Sequence, residues 1–141
     1  AGSRSGFAGP FSFLGGVMTE KVRAVAALQF LVLRSSRAEK IVAFYHAVGL
    51  EFAEEKHSNG PRHHSCELGG LVLEIYPRGR GDDLQTDITL GFGVASVEDA
   101  LAALAAAGFA SGPFAPPSGA GRLLTANLRD PDGRTVILTS F

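Results

Sequence analysis

The sequence predicts an α+β fold built from two tandem βαβββ modules. Three observations carry this reading. A pattern of strand, helix and hairpin occurs twice along the chain. The punctuation of the two copies stays in step, with Ser36 and Ser96 60 residues apart and Gly49 and Gly108 59 apart. The composition, 141 residues with 45% hydrophobic and 19% charged, suits one compact domain with a real core.

In module one, the apolar run from Ala26 to Arg34 suits a buried strand. Ser36 and Glu39 then have the spacing of a capping box. Ile41, Phe44, Tyr45 and Val48 follow at helical spacing, and Gly49 is placed to end the helix. Residues 50–57 read as a second strand. Residues 63–68 and 71–76 flank Gly69-Gly70, a tight-hairpin signature. In module two, residues 87–94 read as a strand, and Ser96 and Asp99 open a helix with a Val97, Leu101, Leu104 stripe that Gly108 ends. After a Pro/Gly-rich stretch, residues 122–129, the turn DPDG at 130–133 and residues 134–141 make a last hairpin. Module one thus spans about 26–77, a linker 78–86, and module two 87–141.

Residues 1–17 are rich in Gly, Ser and Phe and show no helical or strand period, so they read as an unstructured leader or added extension before a domain at 18–141. Gly and Pro interrupt the apolar run that a secretory signal requires. No stretch approaches the length of a membrane span. The net charge of −1 offers no basic field for nucleic acid or anionic membrane. A single cysteine excludes an internal disulfide framework and fits a reducing cytoplasm, with Cys66 expected to be a small buried hydrophobe.

With these elements placed, LQFLVLRS through KIVAFYHAVGLEF, then LVLEIYP and DPDGRTVIL, resemble the vicinal oxygen chelate superfamily: glyoxalases, bleomycin-resistance proteins and extradiol dioxygenases. The resemblance covers about residues 26–141. It implies paired βαβββ modules whose curved mixed sheets enclose a cavity, often in a homodimer. It also implies metal ligands in many members: a His or Gln on the first strand and a Glu on the last strand of each module. The internal repeat places those positions at Gln29, Glu74, Thr89 and Ile137. Thr is a poor neutral ligand and Ile is none, so the standard four-ligand site reads as lost. No cofactor is expected there; a divalent metal would need a non-standard ligand set.

The hairpin can be read face by face. If Leu68 pairs with Leu71, one face carries His64, Cys66, Leu68, Leu71, Leu73 and Ile75, and packs on the helices. The other carries His63, Ser65, Glu67, Val72, Glu74 and Tyr76, and lines the cavity, with Ser65 opposite Glu74 and His63 opposite Tyr76. His57 reaches the rim from the preceding loop. Each histidine taken alone reads as a solvated strand-end residue. A carboxyl in an otherwise apolar strand needs a reason, which makes Glu74, with His63, the catalytic candidate for general acid or base work. Gln29, His57, Tyr76, Thr89, Ile137 and Arg122 are candidate ligand-binding residues, Arg122 on a Gly-rich loop suited to an anionic group.

Three function classes follow. The first is a small-molecule binding protein or metal-independent enzyme of the glyoxalase/bleomycin-resistance type. The second is a metal-dependent lyase, isomerase or dioxygenase using Glu74 with a non-standard ligand set. The third is a dimerising or interaction module. The first accords best with Thr89 and Ile137, and its partner is a small molecule.

Overall fold

The computed structural model describes residues 11–14, 17–20, 24–25, 27–79, 81, 85–109, 117–119 and 124–141, the first two segments by backbone alone. Strands β1 (Phe11–Leu14) and β2 (Val17–Glu20) pair antiparallel, in and beside a stretch whose composition suggested no regular structure.

Module one comprises β3 (Phe30–Ser35), α1 (Ala38–Ala47), β4 (Ala53–Glu55), β5 (His63–Leu68) and β6 (Leu71–Pro77), with sheet order β3-β6-β5-β4. Module two comprises β7 (Thr89–Val94), α2 (Val97–Ala106), β8 (Thr125–Arg129) and β9 (Thr135–Ser140), in the order β7-β9-β8. In both sheets the first strand runs parallel to the last, β3 beside β6 and β7 beside β9, while the hairpin partners are antiparallel. The helix therefore crosses from the first strand back over the sheet, as βαβ geometry demands.

The Gly69-Gly70 turn sets the register of the β5–β6 hairpin. Both glycines have positive φ, +49° and +89°, as the two central residues of a type I′ turn require. Leu68 pairs with Leu71, Cys66 with Leu73 and Ser65 with Glu74, as the alternation predicted. Cys66, Leu73 and Ile75 are buried in one cluster with Ile41, Phe44 and Tyr45 of α1 and with Val136 and Leu138 of β9. Each such buried side chain contributes about 1.5–3 kcal/mol relative to exposure. Burial pushes the Cys66 thiol up from its ordinary value, consistent with a packing residue.

The helix ends divide. Ser96 caps α2 as expected, its Oγ accepting from the Asp99 N–H at 3.1 Å. The capping box expected at Ser36 and Glu39 does not form: the N-cap of α1 is Arg37, without a side-chain cap, and Ser35 Oγ accepts from the Arg37 N–H at 3.0 Å. Consequently α1 and α2 start at Ala38 and Val97, 59 residues apart, and that spacing, not 60, is the true repeat.

The modules are joined by aromatic and ionic contacts. Tyr45 of α1 lies against Phe92 of β7 at 5.9 Å, and Phe44 meets Phe109 edge-on at 5.4 Å. Arg37 beside α1 pairs with Asp132 at 3.3 Å, and the fully buried Arg134 meets the same carboxylate at 3.1 Å. Among the described residues, no helix is long and apolar enough to cross a membrane.

Candidate functional site

The sheets have a face turned away from the helices, and strict alternation decides what stands on it. Across β3, β6, β5 and β4, one row reads Arg34, Tyr76, His63 and Glu55, and the next reads Val32, Glu74, Ser65 and Ala53. A third row holds Phe30, Val72 and Glu67. In module two the corresponding rows are Thr89, Thr135 and Arg129; Gly91, Ile137 and Asn127; Gly93, Thr139 and Thr125. The sheets do not close into a barrel, and this face is open, with Phe30, Thr89 and Gly91 exposed. A cleft of about 650 Å³ lies instead on the helix side, lined by Arg37, Phe44, Phe109 and Asp130 among others.

With the repeat at 59, Thr89 corresponds to Phe30, not to Gln29. Gln29 precedes β3, is exposed, and meets β6 through its carbonyl, which accepts from the Val72 N–H at 2.8 Å. The four repeat-related positions are therefore Phe30, Glu74, Thr89 and Ile137. Their donor chemistry does not fit a metal, because Glu74 alone is a good ligand and two of the four are hydrocarbon. Glu74 is half-buried, paired with Ser65 on one side and Val32 on the other.

The structure brings His63, Tyr76 and His57 together. His63 is not a solvated strand-end residue: it is only 1% exposed, covered by Tyr76, whose ring stacks on it at 4.1 Å with planes 8° apart. His63 Nδ1–H donates to the Pro61 carbonyl at 3.2 Å, which leaves Nε2 to accept from the Tyr76 hydroxyl at 3.4 Å. His57 lies beside it, ring centres 5.1 Å apart, and is exposed at the rim as expected. Tyr76 is also flanked by the Arg34 guanidinium, 6.0 Å from its ring centre.

Sequence reasoning missed Glu55. Its carboxylate Oε2 is 3.4 Å from His57 Nε2 and 3.5 Å from His63 Nε2, and one ligand atom from each of the three lies within 4.8 Å of the others. The signal was present: Glu55 and His57 are two apart in an extended segment, and so share a face. A hydrogen bond from Ser65 holds the Glu55 carboxyl below the usual range; desolvation opposes this, and His57 and His63 add to the lowering. Burial, and then the Glu74 and Glu55 carboxylates, push the Tyr76 hydroxyl above its ordinary value, so it is a donor at neutral pH.

The remaining candidates lie elsewhere. Thr89 and Ile137 stand on the module-two sheet, in adjacent rows. Arg122 lies outside the described residues.

Solved structures of similar fold include a glyoxalase/bleomycin resistance protein from Albidiferax ferrireducens T118, 23% identical with a TM-score of 0.57, covering 81% of this chain and 98% of that one. TnmS3, an antibiotic binding protein from Streptomyces sp. CB03234, is 19% identical with a TM-score of 0.62, covering 84% and 98%. A hypothetical protein from S. aureus is 15% identical with a TM-score of 0.62, covering 84% and 96%. A search of curated proteins finds no significant match. These likenesses show the fold. The sequence itself matches the superfamily's own pattern over residues 27–138, and the chain belongs to the Glyoxalase/Bleomycin resistance protein/Dioxygenase superfamily.

Proposed function

We propose that this protein binds a small amphipathic molecule on the open sheet face and performs no chemistry through the metal position of its family. The observation that carries this is the set Phe30, Glu74, Thr89 and Ile137, in which a phenyl ring and a branched alkyl chain stand where ligands would be needed. What remains suits recognition. Phe30, Val32, Val72 and Ile137 offer apolar area, while the half-buried Glu74 carboxyl offers an acceptor. The ligand this fits has a flat apolar part and a cationic or hydrogen-bond-donating group to meet Glu74. Binding of an antibiotic by TnmS3, a protein of the same fold, supports the class and not the compound.

The enzyme alternative, with Glu74 and His63 in one non-standard metal set, is less well supported. His63 Nε2 is directed to Glu55 and Tyr76, one row away from Glu74.

The test is a thermal-shift screen of amphipathic aromatic compounds, followed by calorimetry on hits with wild type and Glu74→Gln. A hit whose affinity falls at least tenfold in Glu74→Gln supports the reading. Hits indifferent to both Glu74→Gln and Phe30→Ala would place the binding site elsewhere.

A further inference from the structure

We infer that Glu55, His57 and His63 form a divalent transition-metal site at the edge of the module-one sheet, separate from the family's metal position. The inference does not rest on the proposed ligand-binding role.

Geometry is the first argument. A tetrahedral ion with bonds of about 2.0–2.1 Å holds its ligand atoms about 3.3–3.4 Å apart. Glu55 Oε2 is already 3.4 Å from His57 Nε2 and 3.5 Å from His63 Nε2. The two imidazoles approach each other from β5 and from the loop after β4, the three ligand atoms lie within 4.8 Å of one another, and exposed His57 can rotate to close the triangle.

His63 is oriented as a ligand would be. His63 Nδ1–H is committed to the Pro61 carbonyl, which is how a metal-bound histidine is oriented and its tautomer fixed. Nε2 of the same ring is turned toward the Glu55 carboxylate oxygen, 3.5 Å away. Glu55 adds a carboxylate oxygen as the third donor.

Donor type selects the ion. Two imidazoles and one carboxylate suit zinc, nickel or ferrous iron and disfavour magnesium and calcium. Such a set leaves a coordination position open, and the Tyr76 hydroxyl, 3.4 Å from His63 Nε2, borders it. Zinc is the ion to which the tetrahedral spacing commits the site.

The experiment titrates metal-stripped, tag-free full chain with Zn2+ by calorimetry and with Co2+ by visible absorption. The expected result is one ion per chain, with a Co2+ band of the intensity given by four-coordinate sites. His57→Ala and Glu55→Gln should each weaken Zn2+ binding by about 10- to 100-fold or more, a loss at least that of a disrupted supporting shell. His57 is exposed, so its removal leaves the fold intact, and His64→Ala, on the opposite face, is the matched control. Three results overturn the assignment: no Zn2+ binding by wild type, unchanged affinity in both variants, or a loss in Glu74→Gln equal to that in Glu55→Gln. Substoichiometric binding abolished equally by His64→Ala also overturns it, as scattered surface histidines.

Discussion

Arg134 Nη2 donates to the main-chain oxygen of Arg34 at 2.7 Å, a bond between residues 100 positions apart that ties the last hairpin of module two to the first strand of module one. The same guanidinium donates through Nη1 to Asp130 and Asp132, and Asp130 accepts from Tyr45 of α1 at 2.8 Å. Arg37 at the start of α1 closes the network on Asp132 at 3.3 Å. A charge with no exposure persists only when its partners are this numerous. Among the described residues, Nε of Arg134 is the one buried side-chain nitrogen or oxygen atom without a partner.

Removing Arg134 therefore strands two buried carboxylates. Arg134→Ala should lose about 3–5 kcal/mol in urea unfolding. Arg134→Lys should recover little, since an ammonium lacks the planar fork that serves three acceptors. A loss below about 1 kcal/mol would mean the carboxylates rehydrate, and that the network is not what joins the modules.

Tyr45→Phe deletes one hydrogen bond to a charged group, a loss of about 1.5–3 kcal/mol. Because Arg134 still donates to the same Asp130 oxygen, the lower end is expected. Burial, then Asp130, hold the phenol protonated far above its ordinary value of 10.0. For a pKa raised by folding, the unfolded chain binds fewer protons at high pH. Stability is full below pH 10 and falls as pH rises beyond it. Urea midpoints should decline from about pH 10 in wild type and decline less in Tyr45→Phe.

What was legible in the sequence was whatever local chemistry determines. Two glycines fixed the β5–β6 turn, so the pairing of Ser65 with Glu74 and the burial of Cys66, Leu73 and Ile75 followed from counting outward. The cap of α1 was not legible. Ser35 and Ser36 are adjacent, and tertiary packing chose Arg37 as N-cap, which moved the repeat by one residue and replaced Gln29 with Phe30. Glu55 was missed because its partner His63 is chosen by the register of β4 on β5, which no turn between them specifies. Arg134 gave no signal at all, since its burial depends on Tyr45, Asp132 and Arg34 converging from distant segments.

A second copy of the chain is the proposed cover for the approach to β3. Val25 and Leu28, just before β3, are 80% and 67% exposed, and a facing copy would bury both. Light scattering should give a dimer mass, and Leu28→Glu should shift it to the monomer. A monomer at every concentration loaded would remove this pairing.

The sharpest separation of binding from stability is at Phe30. Its side chain is 61% exposed, so Phe30→Ala leaves little cavity and should change the urea midpoint only slightly. A ligand lying on the open face would bury that ring, and burying a Phe contributes about 1.5–3 kcal/mol. The corresponding loss of affinity is about 10- to 100-fold. Calorimetry suits the measurement, because the chain has no tryptophan to report binding by its own fluorescence. Unchanged affinity, for a ligand that does respond to Glu74→Gln, would put the apolar contact on Val32 and Val72, farther into the sheet. Lost stability together with lost affinity would mean that Phe30 is covered in solution and that its ring is not free to meet a ligand.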